Sequence, residues 1–236
     1  MTIQNRDAFL ENVASHLGRN RRTEGVERPK WSIQPQFDVF KDHSKDEMVD
    51  ELEAICDVIH TDMKRTTKQN LHKTLHETFT DLNGKTVIAS SDNRNVEFGL
   101  DTFYKNFESS GGHVHLWNED MEEENGLVAE RADIGIVFSD ITLAESGTTV
   151  LFNNKYNGRA ISLLPHSYVA LIPKSTIVPR MTQATKMIHE RNLAGDDVAS
   201  CVSFVTGPSN SADIEMKLIV GVHGPVTATY ILIEDA

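Results

Sequence analysis

Cysteine is nearly absent from this chain, which has only Cys56 and Cys201 among its 236 residues. Neither belongs to a Cys-x-x-Cys pair, and thiolate-bound iron–sulfur clusters or zinc sites usually need about four such ligands. The sequence therefore excludes a cluster or a thiolate zinc site built by this chain alone. Both cysteines lie in apolar patterns that are typical of small buried side chains.

Long apolar runs and an excess of basic residues are missing as well. No apolar segment approaches the length of a membrane span, and the amino end has no signal-peptide core. The formal charge of −12 and the pI near 5.2 argue against nucleic acid or an anionic membrane as the main partner. We therefore expect a cytoplasmic protein with small-molecule or protein partners.

The motifs that hold nucleotides and metals are also lacking. There is no Gly-x-Gly-x-x-Gly after the first predicted strand and no P-loop pattern anywhere. His72 with His76, and His113 with His115, have spacings that can hold a metal, but no third ligand accompanies either pair. We expect this chain to bind no metal and no cofactor of its own.

Hydrophobic periodicity divides the chain into an arm and a domain. Apolar spacing predicts a helix over residues 6–17, followed by an extended, proline-containing stretch. Ser44 and Glu47 form a capping-box pattern that predicts the start of a second helix. Beyond it, predicted helices alternate with short apolar strands, which indicates a sheet covered on both faces. We expect a helical arm at 1–43 and a three-layer α/β/α domain at 44–236, with a mostly parallel or mixed sheet.

Two polar turns between predicted strands supply the candidate site residues. In the first turn, Glu145 could act as a nucleophile or base, or could accept backbone N–H bonds that tie the turn together. The second turn covers residues 207–215 and is followed by His223, a candidate acid or base. The candidate catalytic residues are Glu145 and His223; the candidate substrate- or anion-binding residues are Ser146, Gly147, Thr148, Arg159, Gly207, Ser209, Asn210, Ser211, Asp213 and Glu215.

The two turns and Arg159 are expected to form one cleft. Open α/β sheets bind ligands beyond the carboxyl ends of their strands, and each of these segments follows or interrupts a predicted strand. We therefore expect Glu145, Arg159 and the 207–215 loop to meet at that edge. Arg159 could bind the carboxylate of a small acid there.

Several segments taken together resemble the lactate utilization protein C family, whose core is called the LUD domain. They are residues 133–136, 144–148, 162–165, 206–215 and 221–225, and the resemblance extends from about Met48 to the C-terminus. It implies a fold similar to the NagB/RpiA/CoA-transferase group. It also implies a role in oxidising L-lactate to pyruvate, which allows growth on lactate, alongside two partner proteins that carry iron–sulfur clusters.

Two functions stay open at this point. Many CoA-transferases carry a catalytic glutamate in a Ser-Glu-Asn-Gly motif, and Ala144-Glu145-Ser146-Gly147 is similar to it but departs at both positions that flank the glutamate. The chain is either a cluster-free component of a lactate-oxidising complex or a small-molecule acid enzyme. In the second case Glu145 would be the nucleophile or base.

Overall fold

The computed structural model describes residues 4–27, 30–196, 198–213 and 216–236. The chain forms two compact units, 1–35 and 36–236. The first unit contains helix α1 (Arg6–His16). In chain order, the second contains α2 (Lys45–Val58), β1 (Thr61–Thr66), α3 (Leu71–Asp81), β2 (Thr86–Ala89), α4 (Arg94–Glu97), α5 (Leu100–Ser109), β3 (His113–Leu116), α6 (Glu122–Arg131), β4 (Ile134–Phe138), β5 (Ile141–Leu143), β6 (Thr148–Asn153), α7 (Ala160–Leu163), β7 (Ser167–Pro173), β8 (Ile177–Val178), α8 (Met181–Ala194), β9 (Cys201–Thr206), β10 (Asn210–Ser211), β11 (Ile219–Val220) and β12 (Thr227–Ile233).

A six-stranded parallel sheet forms the centre of the second unit, in the order β1-β12-β7-β4-β2-β3. Its middle strands β4 and β7 are buried along their whole length, as expected where helices cover both faces of a parallel sheet. Helices α3 and α5 pack on one face through Leu75 and Phe103. Helices α2, α6 and α7 cover the other through Leu52, Ala129 and Ile161. The predicted three-layer α/β/α class is confirmed.

A smaller four-stranded sheet, in the order β8-β5-β6-β9, packs beside this core. Strand β6 pairs antiparallel with both β5 and β9, whereas β8 pairs parallel with β5. One side of the small sheet contributes Leu151 to the main core. Its other side packs under α8, where Val150 meets Ala184 and Ile188. Helix α8 therefore forms an additional outer layer.

Local hydrogen bonds explain where α2 begins. The Glu47 N–H donates to Ser44 Oγ at 3.2 Å, and the Ser44 N–H donates to Glu47 Oε2 at 2.7 Å. This reciprocal pair confirms the predicted capping box, and it satisfies backbone N–H groups that have no partner inside the helix.

The side chain of Asp133 links the starts of β2 and β4. Asp133 Oδ2 accepts hydrogen bonds at 2.8 Å from the Lys85 N–H, the Thr86 N–H and Thr86 Oγ1. Burial alone would raise the pKa of Asp133, but these donors stabilise its charged form and hold the pKa below its usual value. These hydrogen bonds fix the register between β2 and β4 where the two strands begin.

Helix α7 lies directly on β4 because Gly135 has no side chain. A Cβ atom at this position would lie 1.9 Å from the Ile161 carbonyl oxygen.

Among the described residues, no helix is both long enough and apolar enough to span a membrane.

Candidate functional site

The two polar turns predicted from the sequence lie next to each other. Strands β6 and β9 pair so that Thr148 is opposite Thr206, which brings the turn that ends at Gly147 beside Gly207. The buried Tyr230 hydroxyl donates to the Gly147 carbonyl at 2.8 Å and accepts from the Gly207 N–H at 3.0 Å. Burial raises the pKa of Tyr230, so its hydroxyl stays protonated and serves both turns.

A short chain of hydroxyl groups continues this contact. Ser146 Oγ lies 2.7 Å from Thr148 Oγ1, which in turn lies 2.7 Å from Thr206 Oγ1. Thr148 is buried and Ser146 is half-buried. These hydroxyls are hydrogen-bonded to one another and hold the two turns in a fixed relation.

Glu145 forms a two-point ion pair that the sequence did not predict. Its Oε2 accepts from Arg180 Nε at 2.8 Å, and its Oε1 lies 2.8 Å from Arg180 Nη2. The Glu145 N–H donates to the Pro179 carbonyl at 3.0 Å. Arg180 precedes α8 and is 35 positions away in the chain, so no local pattern revealed it. Both oxygens of the Glu145 carboxylate are therefore bound by the Arg180 guanidinium.

The position of these turns corrects one prediction. A Cβ at Gly207 would lie 2.7 Å from the Ile59 carbonyl oxygen and 2.8 Å from Thr61 Oγ1, at the start of β1. The Ser209 N–H donates to the Pro225 carbonyl at 2.9 Å, just before β12. The turns therefore lie at the amino edge of the central sheet, and the predicted location at its carboxyl edge is wrong. The reason is that β5 leaves the carboxyl end of β4 and runs back toward the opposite edge.

The second turn continues into a small hairpin made by β10 and β11. Ser211 Oγ donates to Asp213 Oδ2 at 2.9 Å and accepts from the Asp213 N–H at 3.2 Å, a local side-chain turn. Asn210 Nδ2 donates to the Pro208 carbonyl at 3.3 Å. Glu215 lies outside the described residues.

His223 is exposed and belongs to the same group of loops. A Cβ at the next residue, Gly224, would lie 3.1 Å from Ser209 Cβ and 3.2 Å from the Leu163 carbonyl oxygen. We call residues 163–164, 207–213 and 216–226 the amino-edge loop cluster. It contains His223 and five of the ten predicted binding residues, Gly207, Ser209, Asn210, Ser211 and Asp213.

Arg159 is not brought to this cluster. Its side chain is exposed, and the preceding Gly158 packs against the Trp117 ring, where a Cβ would lie 2.0 Å from Cζ2. Trp117 directly follows β3, so this segment belongs to the carboxyl edge of the sheet. The expected single cleft containing Glu145, Arg159 and the 207–215 loop does not form.

A polar pocket that the sequence did not reveal lies at the carboxyl edge, between β2 and β4. The chain leaves β2 toward the face covered by α5 and leaves β4 toward the face covered by α2. Such a divergence creates the crevice in which α/β sheets usually hold ligands. We call it the switch-point pocket; its volume is about 190 Å³ and it is lined by Asp92, Asn93, Arg94, Asp140, Phe152, Asn154, Tyr156 and Asn157.

Arg94 is bound by two carboxylates in this pocket. Its Nη2 lies 2.6 Å from Asp92 Oδ2 and 2.8 Å from Asp140 Oδ1, and its Nη1 donates to the Ser139 carbonyl at 3.3 Å. Burial raises the pKa of Asp140. Burial would also raise the pKa of Asp92, but its bonds to Arg94 hold that pKa below the usual value.

Metal-binding geometry is missing from the described part of the chain, where no group of three or more His, Cys, Asp or Glu side chains is suitably placed. His72 instead contacts the Gly99 carbonyl through Nε2 at 3.0 Å. Burial raises the pKa of the Cys56 thiol to about 12, so this thiol stays protonated and unreactive near neutral pH.

The fold is that of an α/β protein with a parallel central sheet. Comparison with known proteins shows which family it belongs to. Residues 47–233 match the LUD domain. The chain therefore belongs to the LUD domain family, which confirms the resemblance seen in its motifs.

Relatives cover the chain from end to end. It is 56% identical over 234 residues to lactate utilization protein C of Oceanobacillus iheyensis, covering 99% of this chain and 100% of the relative. It is 52% identical to lactate utilization protein C 1 of Bacillus mycoides, covering 100% of this chain and 99% of the relative. The protein of the same type from Bacillus subtilis is 50% identical, with 99% and 98% covered.

One solved structure supports the fold. The crystal structure of a DUF162 family protein from Deinococcus radiodurans matches with a TM-score of 0.55, covering 81% of this chain and 99% of that chain. The sequences are 18% identical, so this likeness concerns the fold alone.

Proposed function

We propose that this protein is the cluster-free component of a lactate utilization system that supports the oxidation of L-lactate to pyruvate and growth on lactate. One observation carries the proposal: identity of 50 to 56% along nearly the full length of relatives named lactate utilization protein C. Similarity of this extent includes the arm as well as the LUD domain.

The electron-transfer groups of such a system would belong to other subunits. The chain has two cysteines, too few to ligate an iron–sulfur cluster by themselves. As the resemblance to the lactate utilization protein C family implies, we propose two iron–sulfur partner proteins, with this chain contributing assembly or substrate capture.

The amino-edge loop cluster is the surface that we propose for docking one of these partners. It exposes apolar side chains beside its polar turns: Leu164 is 47% exposed and Leu218 is 58% exposed. Exposed apolar groups that are grouped together and rimmed by polar residues are typical of protein–protein contact sites.

The alternative function, an enzyme that uses Glu145 on a small acid, is less well supported by the geometry. A nucleophilic or basic carboxylate needs a free oxygen directed at its substrate. Both oxygens of Glu145 are bound by Arg180. This arrangement favours a role for Glu145 in fixing the turn that it occupies.

The proposal is tested by deletion and co-purification. A strain that lacks this protein should fail to grow on L-lactate as carbon source but should grow normally on glucose, and the restored gene should recover growth. Tagged protein from lactate-grown cells should bring down two partners that contain iron. Unimpaired growth of the deletion strain on L-lactate would contradict the lactate role itself.

A matched pair of variants tests the docking surface. Leu218→Asp places a charge in the loop cluster, whereas Val96→Asp places one on α4, at a side chain that is 72% exposed. We expect the first variant to lose both partner recovery and growth on L-lactate, and the second to retain both. Equal partner recovery by the two variants would contradict docking at this surface.

A further inference from the structure

Strand β9 forms an open edge of the small sheet. The sheet order is β8-β5-β6-β9, so β9 has β6 on one side and no strand on the other. Among the described residues, no backbone group of β9 makes a hydrogen bond on the side that faces away from β6. An open edge of this kind presents a row of N–H and C=O groups to which another strand can pair.

The other sheet edges in the described part of the chain are short or charged, whereas β9 is neither. Strand β1 contains Asp62, Lys64 and Arg65, β3 has four residues, and β8, β10 and β11 have two residues each. Short length and charge are the features that normally prevent edge strands from pairing with other chains. Strand β9 has six residues, Cys-Val-Ser-Phe-Val-Thr, with no charge, proline or glycine, and Phe204 is 37% exposed. Its composition is therefore that of a strand suited to pairing.

Hydrogen bonds around β6 show that Phe204 directs its backbone groups to the open edge. The Asp140 N–H, just before β5, donates to the Val150 carbonyl at 2.9 Å, so Val150 directs its carbonyl away from β9. Phe204 is opposite Val150. Opposed residues of an antiparallel pair either exchange both hydrogen bonds or direct both sets of groups outward. The N–H and C=O of Phe204 therefore point away from β6.

The next residue confirms this orientation. Thr149 Oγ1 donates to the Val205 carbonyl at 3.1 Å, and a hydroxyl on β6 can reach that carbonyl only if it faces β6. Because the direction alternates along a strand, Val202, Phe204 and Thr206 share the outward orientation. These three residues supply the donors and acceptors of the open edge.

The outward groups are complementary to those of a second, antiparallel copy of β9. When Phe204 is opposite its own counterpart, Val202 is opposite Thr206 of the other copy and Thr206 is opposite Val202. Each opposed pair exchanges two hydrogen bonds, so every outward N–H and C=O of the strand gains a partner. A register moved by two residues leaves an outward residue of the strand unpaired. Because β9 has no charged residue, no like charges within the two strands face each other across the axis.

We propose that two copies of this chain associate through β9, which joins their small sheets into one continuous sheet across a two-fold axis. A second copy fits the edge because the register is self-complementary, and two-fold contacts of this isologous kind are the commonest in homo-oligomers. The two Phe204 side chains would lie on the same face with Cβ atoms about 5 Å apart, where aromatic rings pack against each other. This pairing is independent of the proposed role in lactate utilization.

Sedimentation equilibrium of the full chain at micromolar concentration measures this association. The natural chain should have a mass near twice the 26.4 kDa of one copy, in about 0.15 M salt to screen the repulsion between the two acidic copies. Phe204→Lys places like charges opposite each other at the axis and should raise the dissociation constant by about tenfold or more. Leu116→Lys changes a residue that is 41% exposed on the edge strand β3 and should leave the constant unchanged.

Three results of this experiment would overturn the proposal. They are a natural chain that stays monomeric, a dimer that Phe204→Lys does not weaken, and an equal weakening by Leu116→Lys. A monomeric natural chain that loses a partner protein when Phe204 is replaced by lysine would show that the edge binds another protein and not a second copy.

Cysteine cross-linking tests the register, and it decides the matter if Phe204→Lys does not fold. In a Cys201→Ser background, Phe204→Cys should give a disulfide-linked dimer under mild oxidation, because Cα atoms of opposed residues in such a pair are about 5.5 Å apart, within disulfide range. Ser203→Cys is the control and should not cross-link, since its diagonal counterpart lies about 8 Å away. The remaining thiol, Cys56, is buried. Cross-linking at 203, or none at 204, would overturn the pairing.

Discussion

At the scale of single residues, the motif around Glu145 predicted a site residue but not the contacts that the residue makes. Its position between an apolar strand and a glycine turn predicted either a catalytic or a structural role. The ion pair with Arg180 and the link between Gly147 and Gly207 through Tyr230 show what holds the turn. These contacts connect residues far apart in the chain, and a single sequence contains no signal for them.

Glu145→Gln and His223→Ala should each abolish growth on L-lactate while leaving the protein folded, because the first loosens the turn that Arg180 holds beside Gly207 and the second alters the loop cluster proposed for docking. Glu145 and Arg180 are partly exposed, with 37% and 28% of their side chains accessible, so losing the pair should cost no more than about 1 kcal/mol of stability. His223 is exposed and contributes little packing. Complementation of the deletion strain, with the melting temperature measured in parallel, checks both; full growth by both variants would make these residues dispensable for function.

Asp133→Asn should destabilise the domain by about 1–3 kcal/mol at neutral pH, because a charged acceptor of three hydrogen bonds is replaced. The pKa of Asp133 is lowered in the folded state. The contribution of Asp133 to the free energy of unfolding is therefore fully present above a pH of about 3.9, the ordinary pKa of aspartate. It is lost as the pH falls through the lower pKa of the folded state. Urea unfolding at several pH values should show the difference between variant and natural chain shrinking below about pH 4; a constant difference would contradict this explanation.

The residues of the switch-point pocket had a signal that could have been used. Asp92 closely follows β2 and Asp140 closely follows β4, and polar residues just beyond buried parallel strands converge at one edge. Asn157 had no such signal, since its approach depends on the path of the chain after β6. Sequence reasoning reached the amino-edge turns because their residues form recognisable motifs, but it placed them at the wrong edge.

At the scale of elements, most helices and buried strands could be predicted, and the exceptions have a physical reason. Strand β1 is an edge strand of the central sheet, and its sequence Thr-Asp-Met-Lys-Arg-Thr has no apolar run, since two of its six residues are exposed and two are only half-buried. The small sheet was also not predicted as a separate layer. Its strands have the pattern of ordinary apolar runs, and only tertiary pairing separates them from the central sheet.

Ser44→Ala should cost about 1 kcal/mol of unfolding free energy by removing the cap of α2. Ser44 Oγ accepts from the Glu47 N–H, and this residue is exposed, so little packing is lost. Chemical denaturation measures the change. Ser109→Ala, near the end of α5, is the matched control, and an equal loss at both positions would argue against a capping effect.

Gly135→Ala should destabilise the domain by about 3 kcal/mol or more, because its new methyl group would overlap the Ile161 carbonyl oxygen and displace α7 from β4. Gly126 lies within α6, and a methyl group added there would meet nothing within 4 Å, so Gly126→Ala should stabilise by about 0.5–1 kcal/mol. Thermal and urea unfolding of both variants check the pair. Similar stability of the two would mean that α7 can shift without cost.

At the scale of the whole molecule, the hydrophobic clusters lie in the second compact unit. Within the described residues, all three hydrophobic clusters are built from residues between Met48 and Ala236, and the LUD domain match covers 47–233. The class of the fold followed from the alternation of elements, whereas the extra layer formed by the small sheet and α8 required the structure.

A fragment of residues 36–236 should fold by itself and unfold in one cooperative transition, because it contains every buried cluster among the described residues. Circular dichroism and calorimetry of the fragment and of the full chain test this. A fragment that lacks a cooperative transition would show that residues 1–35 are required for the core.

The packing of Gly158 against Trp117 gives this protein a built-in optical reporter. The chain has two tryptophans; Trp31 is 71% exposed, whereas the Trp117 ring covers Gly158, one residue after Asn157. In a Trp31→Phe background, all indole emission would come from a ring whose surroundings change whenever the segment from Asn154 to Gly158 is displaced. The wavelength and intensity of that emission would then report displacement of this segment in real time, without any attached dye.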